Sequence, residues 1–277
     1  MNDIRLIAMD LDGTLLQRDG SILPETLEAL RAASNRGVTI ALASGRYPEN
    51  AALTFIDHQL NGPVMGANGA IIQDSPMGQT MFLHMIPTGI AGKVREYLDQ
   101  EDCPYILFSH KRVTTSKVGM THRSEINDGP RIERLGGIHF GHGPDAVDLA
   151  MQQGICKFYL FDHPRLNDLA QELRKIPHLL VTRSGEHNIE LMPEGIHKGN
   201  GIRELCSKLG ISLSQVMAFG DEENDLPMLT SVVYGFAMAN APEHVKRQCG
   251  YVTDSYQDNG IAHAVKQYVL SGGFGAV

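Results

Sequence analysis

A chain of 277 residues, 42% hydrophobic and 20% charged, has enough apolar material to bury a core without disulfides or a structural metal. Its formal net charge of −8 argues against a nucleic-acid binder, whose electrostatic footprint is basic. The four cysteines, Cys103, Cys156, Cys206 and Cys249, are scattered with no CxxC pair, which predicts reduced thiols and neither a zinc finger nor a redox motif.

Residues 6–9 form an apolar run of strand length. Residues 24–35 carry Leu27, Leu30 and Ala33 at helical spacing, with Pro at the start and Gly37 past the end. Residues 38–43 and 63–67 read as further buried strands, with a helix over 49–60 between them. This alternation predicts βαβ units and a parallel sheet covered on both faces. Residues 70–73 and 80–85 look like a hairpin. From 87 to 187 the rhythm breaks: helices are expected at 90–100 and 165–175, strands at 105–108 and 157–161, and a glycine-rich loop at 136–143. The βα rhythm then returns, with helices at 199–209, 224–229, 242–248 and 261–270 and strands at 216–219, 232–236 and 251–253. The expected architecture is therefore α/β: a Rossmann-like parallel-sheet core of residues 1–86 and 188–277, with an α+β cap inserted at 87–187.

Three of the buried-strand runs end in polar residues that a simple core strand does not need. They are Asp10-Leu11-Asp12-Gly13-Thr14, Ser44-Gly45-Arg46, and Gly220-Asp221-Glu222-Glu223-Asn224-Asp225. Ligands of open α/β sheets bind beyond the carboxyl ends of the strands, so Asp10, Asp12, Ser44 and Asp221 should converge. Crowded carboxylates raise one another's pKa unless a cation intervenes, and hard oxygen ligands suit Mg²⁺. No His or Cys accompanies them at ligand spacing, so zinc fits poorly. With a phosphate bound there, one carboxylate can act as nucleophile, and a second can protonate the leaving oxygen and then activate water. Ser44 and Thr14 can donate hydrogen bonds to the transferring oxygens. Lys198, just ahead of a predicted helix, can supply the balancing charge. Plainer readings stand beside these. Asn68-Gly69 is also a tight-turn pair, Asp225 could cap a helix, Arg46 could be a surface residue, and His139 and His142 could be loop residues without a metal.

The motifs closely resemble those of the haloacid dehalogenase superfamily, and they occur in that family's order. Asp10 to Thr14 looks like its DxDGT, Ser44-Gly45-Arg46 its second motif, Lys198-Gly199 its third and Gly220 to Asp225 its GDxxND. The placement and length of the insert are similar to the Cof-like, type IIB cap, and Asn68-Gly69 matches a pair found in that subfamily. The resemblance implies Asp10 as nucleophile and Asp12 as general acid and base. It implies Mg²⁺ held by Asp10, the main-chain carbonyl of Asp12 and Asp221, with Asp225 close behind. Ser44 and Lys198 would grip the phosphoryl group, and Leu11, Gly13, Thr14, Gly45, Arg46, Asn68 and Asn224 would line the phosphate and substrate pocket. The cap would close as a lid, with Tyr105, Phe108, His110, Lys111 and Arg112 as a candidate specificity patch.

The expected function is thus a magnesium-dependent phosphatase acting on a small phosphorylated metabolite. A sugar phosphate leads, with pyridoxal phosphate or flavin mononucleotide behind it. The alternatives are a hexose-phosphate phosphomutase, a phosphorylatable signalling module and a catalytically silent metabolite binder. Apolar runs too short for a bilayer, and a start with no room for a signal peptide, predict a cytoplasmic protein with no membrane partner.

Overall fold

The computed structural model describes residues 3–117, 128–161, 163–183 and 187–271. The first strands are β1 (Leu6–Met9), β2 (Thr39–Ala43), β3 (Val64–Gly66), β4 (Ile71–Gln73) and β5 (Thr80–Leu83). They are followed by β6 (Tyr105–Ser109), β7 (Arg112–Thr115), β8 (His139–His142), β9 (Ile155–Phe161), β10 (Leu179–Thr182) and β11 (Asn188–Pro193). The last three are β12 (Val216–Gly220), β13 (Tyr234–Met238) and β14 (Tyr251–Thr253).

An eight-stranded sheet runs β14-β13-β12-β1-β2-β3-β4-β5. Pairing is parallel from β14 through β3, and the β3-β4-β5 edge is antiparallel. Period-two alternation sorts β1 between two cores. Ile7 and Met9 pack with Leu30 and Ala33 of the helix Pro24–Asn35, whereas Leu6 and Ala8 pack with Ile202 and Leu205 of the helix Lys198–Leu209. Both faces are covered, so the strand reads as an unbroken apolar run. The architecture is α/β with a Rossmann-like core.

A second, six-stranded sheet runs β10-β11-β9-β6-β7-β8. Helices Thr88–Gln100, Pro144–Gln153 and Leu166–Leu173 cover one of its faces, with Val94, Leu98, Val147 and Leu169 packed on Leu107, Phe158 and Leu160. On the other face Ile106, Phe108 and Tyr159 pack against Tyr47, Ala67 and Ile71 of the first unit. This second face, which also carries Ile132 of the short helix Gly129–Arg134, lies over the loops that follow β2 and β3.

Two sequence expectations change. Strand β11 pairs with β9 and β10, so residues 188–193 belong to the inserted sheet and the chain returns to the core only after Pro193. The cause is alternation: Ile189 and Leu191 bury under the insert's helices, while Glu190 and Met192 point to the opposite face. The glycine-rich stretch 136–143 is not all loop, because its second half is β8, parallel to β7 at the sheet edge. Gly141 suits that position, since a Cβ there would stand 2.8 Å from the Cβ of Ala146. Among the described residues, no helix is long and apolar enough to cross a membrane.

Candidate active site

Asp10 follows the last residue of β1, and its main-chain N–H still donates to Phe219 O at 3.0 Å. That bond fixes the residue at the junction between β1 and β12, where its side chain is buried. Gly13, at φ +80°, then turns the chain, and a Cβ here would lie 2.3 Å from Asp221 Oδ2. Only glycine lets the two loops close on each other. Thr14 Oγ1 donates to Asp221 Oδ1 at 2.7 Å, and Asn240 Nδ2 donates to Gly13 O at 2.9 Å and to Asp221 Oδ2 at 3.2 Å.

Lys198 opens the helix Lys198–Leu209, whose N-cap is the ring of His197 accepting from Asn200 N at 3.2 Å. Its ammonium donates to Asp10 Oδ1 at 2.6 Å and to Asp225 Oδ1 at 2.5 Å. The other oxygen of Asp225 accepts from the N–H groups of Asp221 at 2.9 Å and Glu222 at 3.0 Å. Asp225 thus anchors Lys198 and the turn after β12 together, and both its oxygens are engaged. Ser44 follows β2 almost fully buried, and its Oγ accepts from Arg46 N at 3.1 Å.

Arg46 clamps Asp12 through two bonds, Nε to Oδ2 at 2.9 Å and Nη2 to Oδ1 at 2.5 Å. Unlike Asp10, Asp12 has a largely exposed side chain (63%). Asn68 and Asn224 meet at 3.4 Å, and a Cβ on Gly45 would stand 3.1 Å from Asn68 Oδ1. Leu11 departs from expectation: its side chain is core, and its carbonyl accepts the turn's N–H groups from Leu15 and Leu16, so only its main chain can face a ligand. Of the residues expected to form a specificity patch, Phe108 is buried at the seam with the first unit, stacked on Tyr47, whereas Tyr105 points to the helix-covered face, where its hydroxyl donates to Asp99 at 2.8 Å. His142 Nδ1 meets Thr115 Oγ1 at 2.9 Å, and among the described residues neither His142 nor His139 belongs to a group able to hold a metal.

Charge balance defines what the group can hold. Burial pushes Asp10 up to about 8; Lys198 pulls it down, and Asp225 and Asp221 add to the rise. Asp221 is pushed up to about 7, chiefly by burial, against the hydrogen bond from Thr14 and with Asp225 reinforcing. Burial opposes the charge on Lys198, yet Asp10 and Asp225 outweigh it and hold the ammonium above its usual range. With one buried cation among three buried carboxylates, all three can ionise together only beside a further positive charge. Asp10, Asp221 and Asp225 each offer an oxygen, all within 4.8 Å of one another. An all-oxygen anionic set of this kind fits a hard divalent cation.

Sequence reasoning missed Asn240, Lys157 and Glu190. Asn240 had no local signal. The other two are single charges inside otherwise apolar strand runs, Cys156-Lys157-Phe158 and Ile189-Glu190-Leu191, and that is the signal that could have found them.

The model of the haloacid dehalogenase-like hydrolases matches residues 7–265. A Streptococcus pyogenes protein named as a phosphatase is 30% identical, with 97% of this chain and 99% of the relative aligned. The 5-amino-6-(5-phospho-D-ribitylamino)uracil phosphatase YcsE of Bacillus subtilis is 29% identical, over 97% of each chain. A haloacid dehalogenase-like hydrolase from B. subtilis has a solved structure that superposes with a TM-score of 0.81 at 26% identity, covering 96% of this chain and 100% of the other. The chain belongs to the haloacid dehalogenase-like hydrolases. Within them it is a phosphatase of the Cof-like, subclass IIB kind.

Proposed function

We propose that this phosphatase is magnesium-dependent, hydrolyses small phosphate monoesters and works through an aspartyl-phosphate on Asp10. The observation that carries the reading is the placement of Asp10: buried at the end of β1, 2.6 Å from Lys198 and grouped with Asp221 and Asp225. Asp10, Asp221 and the main-chain carbonyl of Asp12 would hold Mg²⁺, with Asp225 behind them. When bound, the ion supplies the positive charge that keeps the carboxylates ionised and offsets the charge of the phosphoryl oxygens.

A carboxylate oxygen of Asp10 attacks phosphorus, and the bond from phosphorus to the ester oxygen breaks. Asp12 gives that oxygen its proton, then takes one from the water that attacks the phospho-aspartate and restores Asp10. The exposure of Asp12 supports this role, because a proton donor to a departing metabolite must face the opening. Lys198 and the Ser44 hydroxyl steady the non-bridging oxygens, with the main chain of residues 11–14 and of Gly45 around them. Arg46, Asn68 and Asn224 lie at the side where the leaving group departs.

The substrate class is a phosphorylated sugar or polyol. The compound for which the YcsE relative is named carries its phosphate on a ribityl chain, in keeping with the sugar-phosphate expectation. The net charge disfavours nucleic acid, and a cytoplasmic site of action is part of the same reading.

The test is phosphate release from a panel of sugar phosphates, 5-amino-6-(5-phospho-D-ribitylamino)uracil, pyridoxal phosphate and flavin mononucleotide, with and without Mg²⁺. Release that needs Mg²⁺ and vanishes in Asp10→Asn is expected. Near-normal turnover by Asp10→Asn would remove the nucleophile assignment, and isomerised sugar phosphate without free phosphate would turn the reading to a mutase.

A further inference from the structure

The inserted sheet carries a charge pair that phosphoryl transfer does not require. Lys157 on β9 and Glu190 on β11 form an ion pair at 2.8 Å, with side chains only 2% and 3% exposed. Taking two charges out of water is costly, and a buried pair on a sheet face gains little stability over apolar residues of the same size. Yet neither partner ends its contacts at the other. Lys157 Nζ also donates to Gly45 O at 2.8 Å, and Asn68 Nδ2 donates to Glu190 Oε2 at 2.5 Å. The ammonium stands 5.2 Å from the ring centroid of Phe108 and 5.5 Å from that of Tyr159, an aromatic seat that suits a desolvated cation.

Both outward contacts land on loops of the core at the phosphate end. Gly45 lies between Ser44 and Arg46. Asn68 sits in the turn after β3, where Ala67 (φ 48°) adopts left-handed backbone that most side chains avoid and Asn68 (φ 54°) the same region, which asparagine tolerates. Strained backbone of this kind persists where surrounding contacts over-determine it. The two loops are also tied to each other, Ala67 N to Arg46 O at 2.8 Å and Asn68 N to Ser44 O at 3.0 Å. Tyr47 completes the seam, since its hydroxyl donates to the carbonyls of Ser109 and His110 across it, at 2.5 and 2.7 Å.

We infer that Lys157 and Glu190 are positioning residues: as a pair on the cap they grip Gly45 and Asn68, and so set the loop bearing Ser44 and Arg46 in its working geometry only when the cap is seated. The inference rests on the reading of Ser44 and Arg46 as active-site residues. If the cap works as a lid, substrate enters with it lifted from the loops of Gly45 and Asn68, which are where the cap's polar contacts land. Lifting it pulls Lys157 off Gly45 and Glu190 off Asn68 while the ion pair, wholly on the cap, stays intact. Closure and assembly of the phosphate loops are then one event, and water outside the closed state meets an incomplete site.

The test is K157M/E190M, which removes both charges together and keeps the side-chain volumes, so that no lone buried charge is left. Three quantities are measured: kcat and KM for the best substrate of the panel, the melting temperature, and amide exchange at Ala67 and Asn68. Expected are a kcat at least about tenfold lower with a smaller change in KM, in line with loss of transition-state positioning. Exchange at those two amides should speed up, with β1 and β12 still protected and the melting temperature within a few degrees of the parent. A folded variant with parental kcat and parental exchange overturns the inference. If the double variant does not fold, E190Q takes its place, since Lys157 and Asn68 donate to different oxygens of Glu190 and the amide NH2 would meet one of these donors with a donor. It must then show the same kcat loss and faster exchange, and parental values refute the proposal equally. Asp10→Asn run in parallel separates the two readings: its activity fails or persists independently of the cap pair.

Discussion

At the scale of single residues, the two aspartates of the first motif differ because their surroundings differ. Asp10 is buried with Lys198 upon it; Asp12, two positions on, is largely exposed and held by both arms of Arg46. A bidentate guanidinium fixes the orientation of the carboxylate, and an exposed position lets it exchange protons with water between turnovers. Asp12→Asn keeps the size of the side chain and removes its acid–base capacity. The expected outcome is a kcat lower by roughly 10²–10⁴-fold, the usual worth of general acid–base catalysis. Because Asp12 pairs at the surface, the melting temperature should hardly move. Steady-state phosphate release and a thermal melt check both, and a kcat within threefold of the parent would exclude the role. These aspartates were legible in sequence because a buried strand that runs into Asp-Leu-Asp-Gly has no packing reason to do so. Arg46 was legible as a motif member only, since its choice of Asp12 is a matter of three-dimensional reach.

At the scale of elements, the site depends on how closely the helix Lys198–Leu209 approaches the short helix Leu226–Leu229. A Cβ on Gly199 would stand 2.2 Å from Pro227 O, a distance that neither main chain can accept without moving. Gly199→Ala therefore has to push apart the two segments that carry Lys198 and Asp225, whose side chains meet at 2.5 Å. Overpacking of this kind costs about 1–3 kcal/mol. We expect a lower melting temperature together with a loss of turnover, whereas Gly210→Ala, at the far end of the same helix with nothing near its Cβ position, should cost about 1 kcal/mol of stability and leave kcat unchanged. Equal kcat losses in the two variants would refute the claim that helix approach sets the site. The parallel strands were readable because burial on both faces leaves an unbroken apolar run with a polar stop. Strands β8 and β11 were not. The first is an edge strand bracketed by glycines, and the second lies where the chain passes from one sheet to the other, where local pattern does not reveal which sheet claims it.

At the scale of the whole molecule, the joint between the two sheets contains a buried acid that belongs to neither the catalytic group nor the cap pair. Glu49, on the helix Pro48–Asp57, is 5% exposed and accepts from Gln73 Nε2 at 2.8 Å. Its Oε2 and the Oε1 of Gln73 are both buried acceptors without a donor. Gly137 of the insert lies so near that a Cβ there would be 3.3 Å from Glu49 Cγ, which places the carboxyl at the seam. Burial pushes Glu49 from its ordinary 4.5 up to about 7, against the opposing effects of its own main chain, Gln73 and Lys111. A proton on Oε2 turns one orphan acceptor into a donor, for which the other is a suitable partner. The folded state then binds this proton more tightly than the unfolded chain does. The stability it contributes is complete below pH 4.5 and is lost as pH rises through about 7, an amount on the order of 3 kcal/mol. Glu49→Gln keeps the shape and stays neutral, so its stability should not follow that slope. Melting curves of parent and variant, both with Mg²⁺ so that the catalytic carboxylates respond alike, should nearly coincide at pH 4.5. By pH 8 they should separate by roughly 5–10 °C, with the variant higher. Parallel curves across that window would mean that Glu49 is already ionised in the folded protein, and that the seam holds a charge its surroundings do not reveal.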